Sequence, residues 1–161
     1  MSDSPTTRVS VGVASIALAA RKASRKVAIL SNQTRESVLL AIADALEANR
    51  ERILNANAQD CASAEELVSS GKMTQAFFSR LRIKESGVAE MAARVREVAN
   101  LPDPLGKRLA ATELDQGLIL HKESCPLGVI AIVFESRPDV VPQVASLALK
   151  SGFAAARSLP I

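Results

Sequence analysis

The residues best able to do chemistry stand in one short corner, Glu135-Ser136-Arg137-Pro138-Asp139, between an apolar run and a helix-forming stretch. A guanidinium beside a hydroxyl and two carboxylates can bind an anion through a fork of charged donors. Pro138 pushes Arg137 out of the α region, so the segment turns instead of continuing a helix. The plainer reading is a structural corner in which Arg137 pairs with Glu135 or Asp139. Cys61 and Cys125 are potential nucleophiles, but a thiol needs a base or an electropositive setting to ionise. Cys125 has only His121 near it in sequence, and Cys61 lies in a helical stretch, so both read as structural thiols. Neither stands in a Cys-x-x-Cys motif, and without a secretory context they read as reduced. His121 is the sole histidine, which argues against a metal site. There is no Walker A motif and no Gly-rich dinucleotide fingerprint.

The corner needs a strand before it and a helix after it. Pro126-Leu127-Gly128 is a turn, and Val129-Ile130-Ala131-Ile132-Val133-Phe134 follows as an unbroken apolar run. Such a run reads as a parallel strand buried on both faces. Asp139 can cap the next helix, and Pro142 is harmless in a first turn. Val140, Val144, Leu147 and Ala148 form that helix's apolar stripe, and Gly152 ends it. Strand, loop and helix make the first half of a βαβ unit, and ligands bind where such a strand gives way to its helix. The helix entrance would present backbone N–H groups alongside the Arg137 charge, an arrangement suited to an anion.

Upstream, the first hundred residues read as a helical layer. Residues 1–7 look disordered. Val9, Val13, Ile16, Ala20, Ala23, Val27 and Leu30 alternate spacings of four and three, the mark of a helix with a narrow apolar seam. Arg21, Lys22, Arg25 and Lys26 fall mainly on its other faces and read as a solvated surface. Ser31-Asn32-Gln33 breaks that helix. A second carries Leu39, Ile42, Ala43 and Leu46 on one face and runs into a third around residues 53–68, which Gly71 stops. Thr74 can cap a short helix bearing Phe77, Phe78 and Leu81. Ser86 can cap another, striped by Val88, Met91, Ala92, Val95 and Val98, and Pro102 and Pro104 end helical character. Residues 110–114 and 118–120 can pair as a hairpin across Asp115-Gln116-Gly117.

Composition bounds the remaining classes. The 161 residues suffice for one domain, and 48% are hydrophobic, but only 2% are aromatic and much of the apolar content is alanine. Alanine buries little area, so the core is thin for its length. The formal charge of +3 is spread among mixed signs without aromatic interleaving, which argues against nucleic acid. No apolar run approaches a membrane span. The start does not resemble a signal peptide, whereas residues 8–26, basic and free of acids, leave a transit segment open. Cytoplasm is the preferred location.

These same stretches carry a resemblance. Cys125-Pro-Leu-Gly-Val129, the apolar run, Phe134-Glu-Ser-Arg-Pro-Asp139 and Ala145-Ser-Leu-Ala-Leu-Lys-Ser-Gly152 closely resemble the gamma-glutamyl phosphate reductase family of the aldehyde dehydrogenase superfamily. The same domain forms the C-terminal half of plant pyrroline-5-carboxylate synthase, whose version of this stretch is especially similar. Ile53–Asp60 and Val95–Pro104 extend the likeness, which runs from about Ala19 to Gly152. The Glu-Ser-Arg-Pro corner is specific, because general aldehyde dehydrogenases carry a Pro-Trp-Asn-type corner there.

The resemblance implies an α/β fold: an N-terminal helical layer, a β-arm used in oligomerisation, and the first strand and helix of an incomplete Rossmann-like aldehyde dehydrogenase domain. Residues 8–152 would form that part, residues 1–7 a disordered tail and residues 153–161 a divergent tail. The implied reaction is reduction of gamma-glutamyl phosphate to glutamate-5-semialdehyde, a proline precursor, with NADPH as cofactor and a homo-oligomer as the working form. A cysteine thiolate would capture the acyl group and release phosphate, and a hydride would then reduce the thioester. Phe134, Glu135, Ser136 and Arg137 are the implied cofactor-binding residues. Arg137 falls near the superfamily's oxyanion-stabilising asparagine, but its type differs and that role does not carry over.

The family's catalytic cysteine lies beyond this sequence, so no catalytic residue is assigned, and neither turnover by the chain alone nor tight NADPH binding is expected. The parallel partner of the Val129–Phe134 strand is also expected beyond Gly152, leaving that strand unpaired and prone to association. Two alternatives stay open: a non-catalytic protein that binds full-length subunits through its arm, and a non-functional fragment.

Overall fold

The computed structural model describes residues 12–135 and 137–157. The expected disorder of residues 1–7, the seam position Val9 and the proline at position 160 lie outside them.

Five helices come first: α1 (Val13–Val27), α2 (Asn32–Ala48), α3 (Arg50–Ser69), α4 (Gln75–Leu81) and α5 (Gly87–Ala99). The chain then forms β1 (Arg108–Asp115), β2 (Leu118–Glu123), β3 (Val129–Ile132), α6 (Val140–Lys150) and β4 (Ala154–Arg157). The start signals act as their chemistry dictates. The Ser31 hydroxyl accepts the Thr34 N–H at 3.1 Å and opens α2, and the Thr74 hydroxyl accepts the Phe77 N–H at 3.4 Å and opens α4. Ser86 departs from this pattern: its hydroxyl donates to Glu90 at 2.8 Å and caps no backbone group of α5.

The core lies between α2 and α5. Leu39, Ala43, Ala92, Val95 and Ala99 are buried together, with Ile42, Leu46, Val98 and Leu149 packed around them. Stripes at helical spacing on two neighbouring helices thus meet face to face, and α6 adds Leu149 to the seam. In α1 the seam is shifted from the expected one. Val13 is 81% exposed and Ala23 is exposed, whereas Ser24 is buried. The Ser24 hydroxyl donates to the Arg21 carbonyl at 2.9 Å, so the polar group enters the contact already satisfied. Arg21, Lys22, Arg25 and Lys26 are all exposed.

The hairpin forms as the turn residues dictate. β1 and β2 are antiparallel, with Thr112 opposite Leu120 and Glu113 opposite Ile119. Gly117 takes φ +78°, a left-handed value at which a Cβ is strained. Every residue of both strands is exposed, including Leu109, Leu114, Leu118, Ile119 and Leu120.

Two expectations about the next strand are corrected. It spans Val129–Ile132 rather than reaching Phe134, and it is half-buried, with Ala131 exposed and Val133 82% exposed. It is also paired: β4 runs parallel to it, with Val129 opposite Ala154 and Ile132 opposite Arg157. Residues 154–157 complete a βαβ unit with β3 and α6. Low strand propensity did not prevent this, because a ladder is made by backbone groups that alanine supplies as well as valine. The return is fixed at the end of α6. Gly152 adopts φ +70° and donates to the Leu149 carbonyl at 3.2 Å, while Phe153 donates to the Ala148 carbonyl at 3.0 Å. That pair of bonds is a Schellman stop, which reverses the chain toward β3.

Candidate functional site: a basic cleft beside the corner

The corner follows β3 and enters α6. Phe134 is half-buried, Glu135 is exposed, and Ser136 lies outside the described residues. Arg137 is 53% exposed and its Nη2 stands 3.5 Å from Asp139 Oδ2, so the pairing with Asp139 forms. Such an exposed, long ion pair constrains Arg137 only weakly. Asp139 makes no side-chain cap on α6, contrary to expectation, because it has already taken helical dihedrals of −65° and −24°. The entrance also offers an anion fewer N–H groups than expected. Val140 N–H donates to the Arg137 carbonyl at 3.1 Å and Val141 N–H to the Pro138 carbonyl at 3.4 Å, and Pro142 has none. Tight turns at the start of α6 thus occupy those donors, and any anion here must be held chiefly by side chains.

The side chains for that are present. A cleft of about 600 Å³ opens beside the corner, between the α4–α5 connection, the outer face of α5 and residues 137–139. Arg80, Arg82, Lys84, Arg94 and Arg137 line it, against the carboxylates of Glu90 and Asp139. Met91, 7% exposed, borders it from the core side.

Each cation has a local reason for its place. Arg80 closes α4 with its guanidinium 5.9 Å from the Phe77 ring centroid. Arg82 and Lys84 sit on a non-helical segment held by Asn57 of α3. The buried Asn57 amide donates to the Leu81 carbonyl at 2.9 Å, and its Oδ1 accepts the Ile83 N–H at 2.8 Å. One side chain thus satisfies a backbone acceptor and a backbone donor that no regular element serves. Gly87 lets α5 start hard against this segment: a Cβ there would lie 2.8 Å from Ile83 Cγ2. Because α5 buries Val88, Met91, Ala92 and Val95, its opposite side carries Glu90 and Arg94 to the cleft.

Of the residues expected at the site from sequence, Arg137 lines this cleft, whereas Phe134 and Glu135 do not. Arg80, Arg82, Lys84 and Arg94 were not foreseen. A signal existed in Arg80-Leu-Arg82-Ile-Lys84, where cations alternate with apolar residues as a helix ends. The thiols stand apart from the cleft. Cys125 is exposed. Cys61 borders a different cleft of about 430 Å³ with Asn57, Glu65 and Phe78, and burial pushes its thiol pKa up, away from the reactive thiolate. His121 is exposed on β2, and no group of metal-binding side chains occurs among the described residues.

Comparison with known proteins shows what the chain as a whole is similar to. No family model matches the chain. Over 133 residues it is 49% identical to gamma-glutamyl phosphate reductase of Methanosarcina barkeri, covering 83% of this chain and 30% of that protein. Its homologues are gamma-glutamyl phosphate reductases. The delta-1-pyrroline-5-carboxylate synthase of Mesembryanthemum crystallinum is 45% identical over 141 residues, 88% of this chain and 19% of that one. The crystal structure of gamma-glutamyl phosphate reductase from Saccharomyces cerevisiae superposes with a TM-score of 0.83 at 39% identity, over 89% of this chain and 35% of the yeast chain. The chain spans about a third or less of the length of these relatives. The α/β architecture expected from the sequence is that of the reductase structures. No helix among the described residues is long and apolar enough to cross a membrane.

Proposed function

We propose that these residues form part of a gamma-glutamyl phosphate reductase acting in proline biosynthesis, an enzyme that converts gamma-glutamyl phosphate to glutamate-5-semialdehyde with NADPH. The observation that carries this reading is the 49% identity to a reductase over 133 residues, a span that includes most of the chain. The basic cleft beside the corner supports it, since the substrate is an acyl phosphate and its phosphoryl group needs cationic partners.

Bound NADPH supplies the hydride. Phe134, Glu135, Ser136 and Arg137 would border it where β3 gives way to α6. The residues present fit one edge of that cofactor, through the half-exposed Arg137 guanidinium. They do not provide a row of free N–H groups for its pyrophosphate, because the first turn of α6 has spent its own. What this chain contributes is orientation: Arg137 and the neighbouring cations hold negative charge at the mouth of the βαβ unit. The thiolate that captures the acyl group is not furnished by Cys61 or Cys125, which both lie outside the cleft.

Further parts of this reading are cytoplasmic location and a homo-oligomeric working form. The exposed β1–β2 ribbon supports the latter, because its leucines and isoleucine find no cover among the described residues. The alternative that the chain binds full-length subunits without catalysing anything would use the same ribbon.

The test is a chimera in which residues 19–152 replace the matching segment of the Methanosarcina barkeri reductase. Phosphate-dependent reduction of NADP⁺ by glutamate-5-semialdehyde should be retained within about an order of magnitude, since the segment supplies binding groups and not the thiolate. A folded, cofactor-binding chimera without that activity would overturn the reading.

A further inference from the structure

We propose that the outer face of α1 is a docking surface for an anionic phospholipid membrane, which it meets side-on, with Leu18 and Ile29 entering the headgroup region and Arg21, Lys22, Arg25 and Lys26 holding the lipid phosphates.

The helix presents two different sides. Ile16, Ala20, Ser24 and Val27, at steps of four and three, are its buried or half-buried positions, and α1 packs there on the β3–β4 sheet. Leu18, Lys22, Arg25 and Ile29 follow the same steps on the opposite side. Ala28 keeps helical dihedrals and the Leu30 N–H donates to the Val27 carbonyl at 3.1 Å, so the winding carries Ile29 onto that line. Leu18 is 70% exposed and Ile29 84%. A single exposed apolar side chain needs no explanation. Here two lie on one line, with four cations between and beside them.

The charge of this face sets it apart from the rest of the surface. Arg21, Lys22, Arg25 and Lys26 fill four of six consecutive positions, and no Asp or Glu occurs from Ser4 to Arg35. Exposed cations elsewhere stand beside acids: Glu51 separates Arg50 from Arg52, Glu85 follows Lys84, and Glu123 follows Lys122. Those surfaces are mixed, whereas α1 is of one sign. Arg25 and Lys26 also answer the negative end of the helix dipole. Arg21 and Lys22 lie a turn further in, where that effect has faded, so the dipole does not account for them.

Lipid fits this face better than a protein helix does. Leu18 and Ile29 are 11 residues apart, roughly 16 Å along the axis, with cations between them. A partner helix would need an apolar position at every turn of the seam. A bilayer surface takes apolar side chains singly, while Lys and Arg lay their stems along it and keep their charges at the phosphates. Ala14, Ser15 and Ala19, the neighbours of Leu18, are short, so no tall side chain beside it holds the helix off a plane. Charge complementarity then draws the face to a leaflet rich in anionic lipid. The contact is peripheral, since no helix among the described residues is long and apolar enough to cross.

The probes are vesicles of equal parts phosphatidylcholine and phosphatidylserine, and vesicles of phosphatidylcholine alone, floated on a density gradient with the full chain. The chain should float with the anionic vesicles only, and its affinity should fall about tenfold or more as NaCl rises from about 0.05 M to about 0.5 M. Lys22→Gln with Arg25→Gln should weaken binding about tenfold or more. Leu18→Ser with Ile29→Ser should weaken it several-fold and leave the salt dependence in place. All four side chains are exposed, so the helical circular dichroism should persist. If the charge pair loses helix, Lys22→Gln alone decides, with an expected loss of about fivefold. Lys72→Gln, in the turn after α3, and Leu118→Ser with Leu120→Ser on the β1–β2 ribbon should change nothing. Failure to float with either vesicle, equal flotation with both, indifference to the α1 substitutions, or loss of binding with the ribbon substitutions would overturn the proposal. Capture of polyglutamate as tight as that of the vesicles would make the face a protein contact and overturn it as well. The docking does not depend on the reductase reading, so an inactive chimera leaves it standing.

Discussion

The Lys150 ammonium donates to the Ala99 carbonyl at 2.8 Å, so the last residue of α6 closes the C-terminal end of α5. The same nitrogen reaches Glu36 at 2.9 Å and Asn32 at 3.0 Å, at the start of α2. A lysine 2% exposed is costly unless all three of its protons are placed, and here they are. Three helices therefore meet at one cation, and their meeting point lies under the βαβ unit that carries the corner. Lys150→Met keeps the length and the apolar stem but leaves the Ala99 carbonyl without its donor. We expect a loss of about 1–3 kcal/mol for that buried acceptor alone, read as a lower urea midpoint with an unchanged slope. A midpoint equal to that of the unsubstituted chain would show that water replaces the ammonium at no cost.

Glu36 gives this cluster a pH dependence. Its carboxyl pKa is held below the ordinary 4.5, first by the hydrogen bond from Lys150 and then by that from Asn32. A pKa depressed in the folded state contributes stability above the unfolded value and loses it as pH falls through the folded one. Glu47 is depressed in the same direction by its bond from Arg96, so both act together. Stability should be flat near neutrality and fall below about pH 4.5. In Glu36→Gln the fall between pH 5 and pH 3 should be shallower, with the Glu47 share remaining. An acid limb of unchanged steepness in the variant would show that the Lys150 contact does not tune Glu36.

Asn57 should prove more important than its place in a polar stretch of α3 suggests. Asn57→Ala removes the donor to Leu81 and the acceptor for Ile83, and about 2 kcal/mol of stability should go with them. The local signature is amide exchange: Ile83 should lose protection while Leu39 and Val95, deep in the α2–α5 core, keep theirs relative to the global stability. Uniform loss of protection would show that Asn57 supports the whole fold and not the cleft segment in particular.

Much of this architecture was legible because its signals are local. The stripes of Leu39–Leu46 and Val88–Val98, the Thr74 cap, and the turn at Asp115–Gly117 each depend on neighbours within a few residues. Three features were not. The burial of Ser24 in place of Ala23 depends on how α1 meets the small β3–β4 sheet, a tertiary matter. Pairing of β4 was missed because strand propensity reports side chains, while a short parallel ladder is held by backbone and by the reversal at Gly152. The cleft cations were missed because Arg80–Lys84 and Arg94 are apart in sequence, and only the Asn57 clamp and the close start at Gly87 bring them to one surface. Arg137 was found because its proline neighbour marks a turn in any context.

The exposed ribbon carries a separate expectation. Leu118 and Leu120 lie on one face of β2, at 58% exposure each, and Thr112 of β1 is paired with Leu120. If the ribbon is covered by a second copy, Leu118→Ser with Leu120→Ser should shift the sedimentation profile toward monomer at a given concentration, with the helical content unchanged. A profile that does not move would remove the ribbon as the contact.

Gly152 and Gly71 separate two ways in which a glycine is required. Both have positive φ, +70° and +72°, so alanine at either is strained by about 1 kcal/mol. Around Gly71 nothing lies within 4 Å of an added Cβ, so the backbone term is the whole cost there. At Gly152 the added Cβ would sit 2.5 Å from Leu105 Cδ1 and 3.2 Å from Pro126 Cγ. Leu105 could yield by changing rotamer, but Pro126 is a ring in the turn that leads into β3 and has little freedom. Gly152→Ala should therefore cost more than Gly71→Ala by about 1–3 kcal/mol of overpacking. The loss should be selective as well. The N–H of Ala154, which donates to Gly128 at 2.9 Å, should exchange faster in Gly152→Ala and not in Gly71→Ala. Equal costs for the two substitutions, with the Ala154 amide still protected, would show that the β3–β4 pairing does not depend on the turn at Gly152.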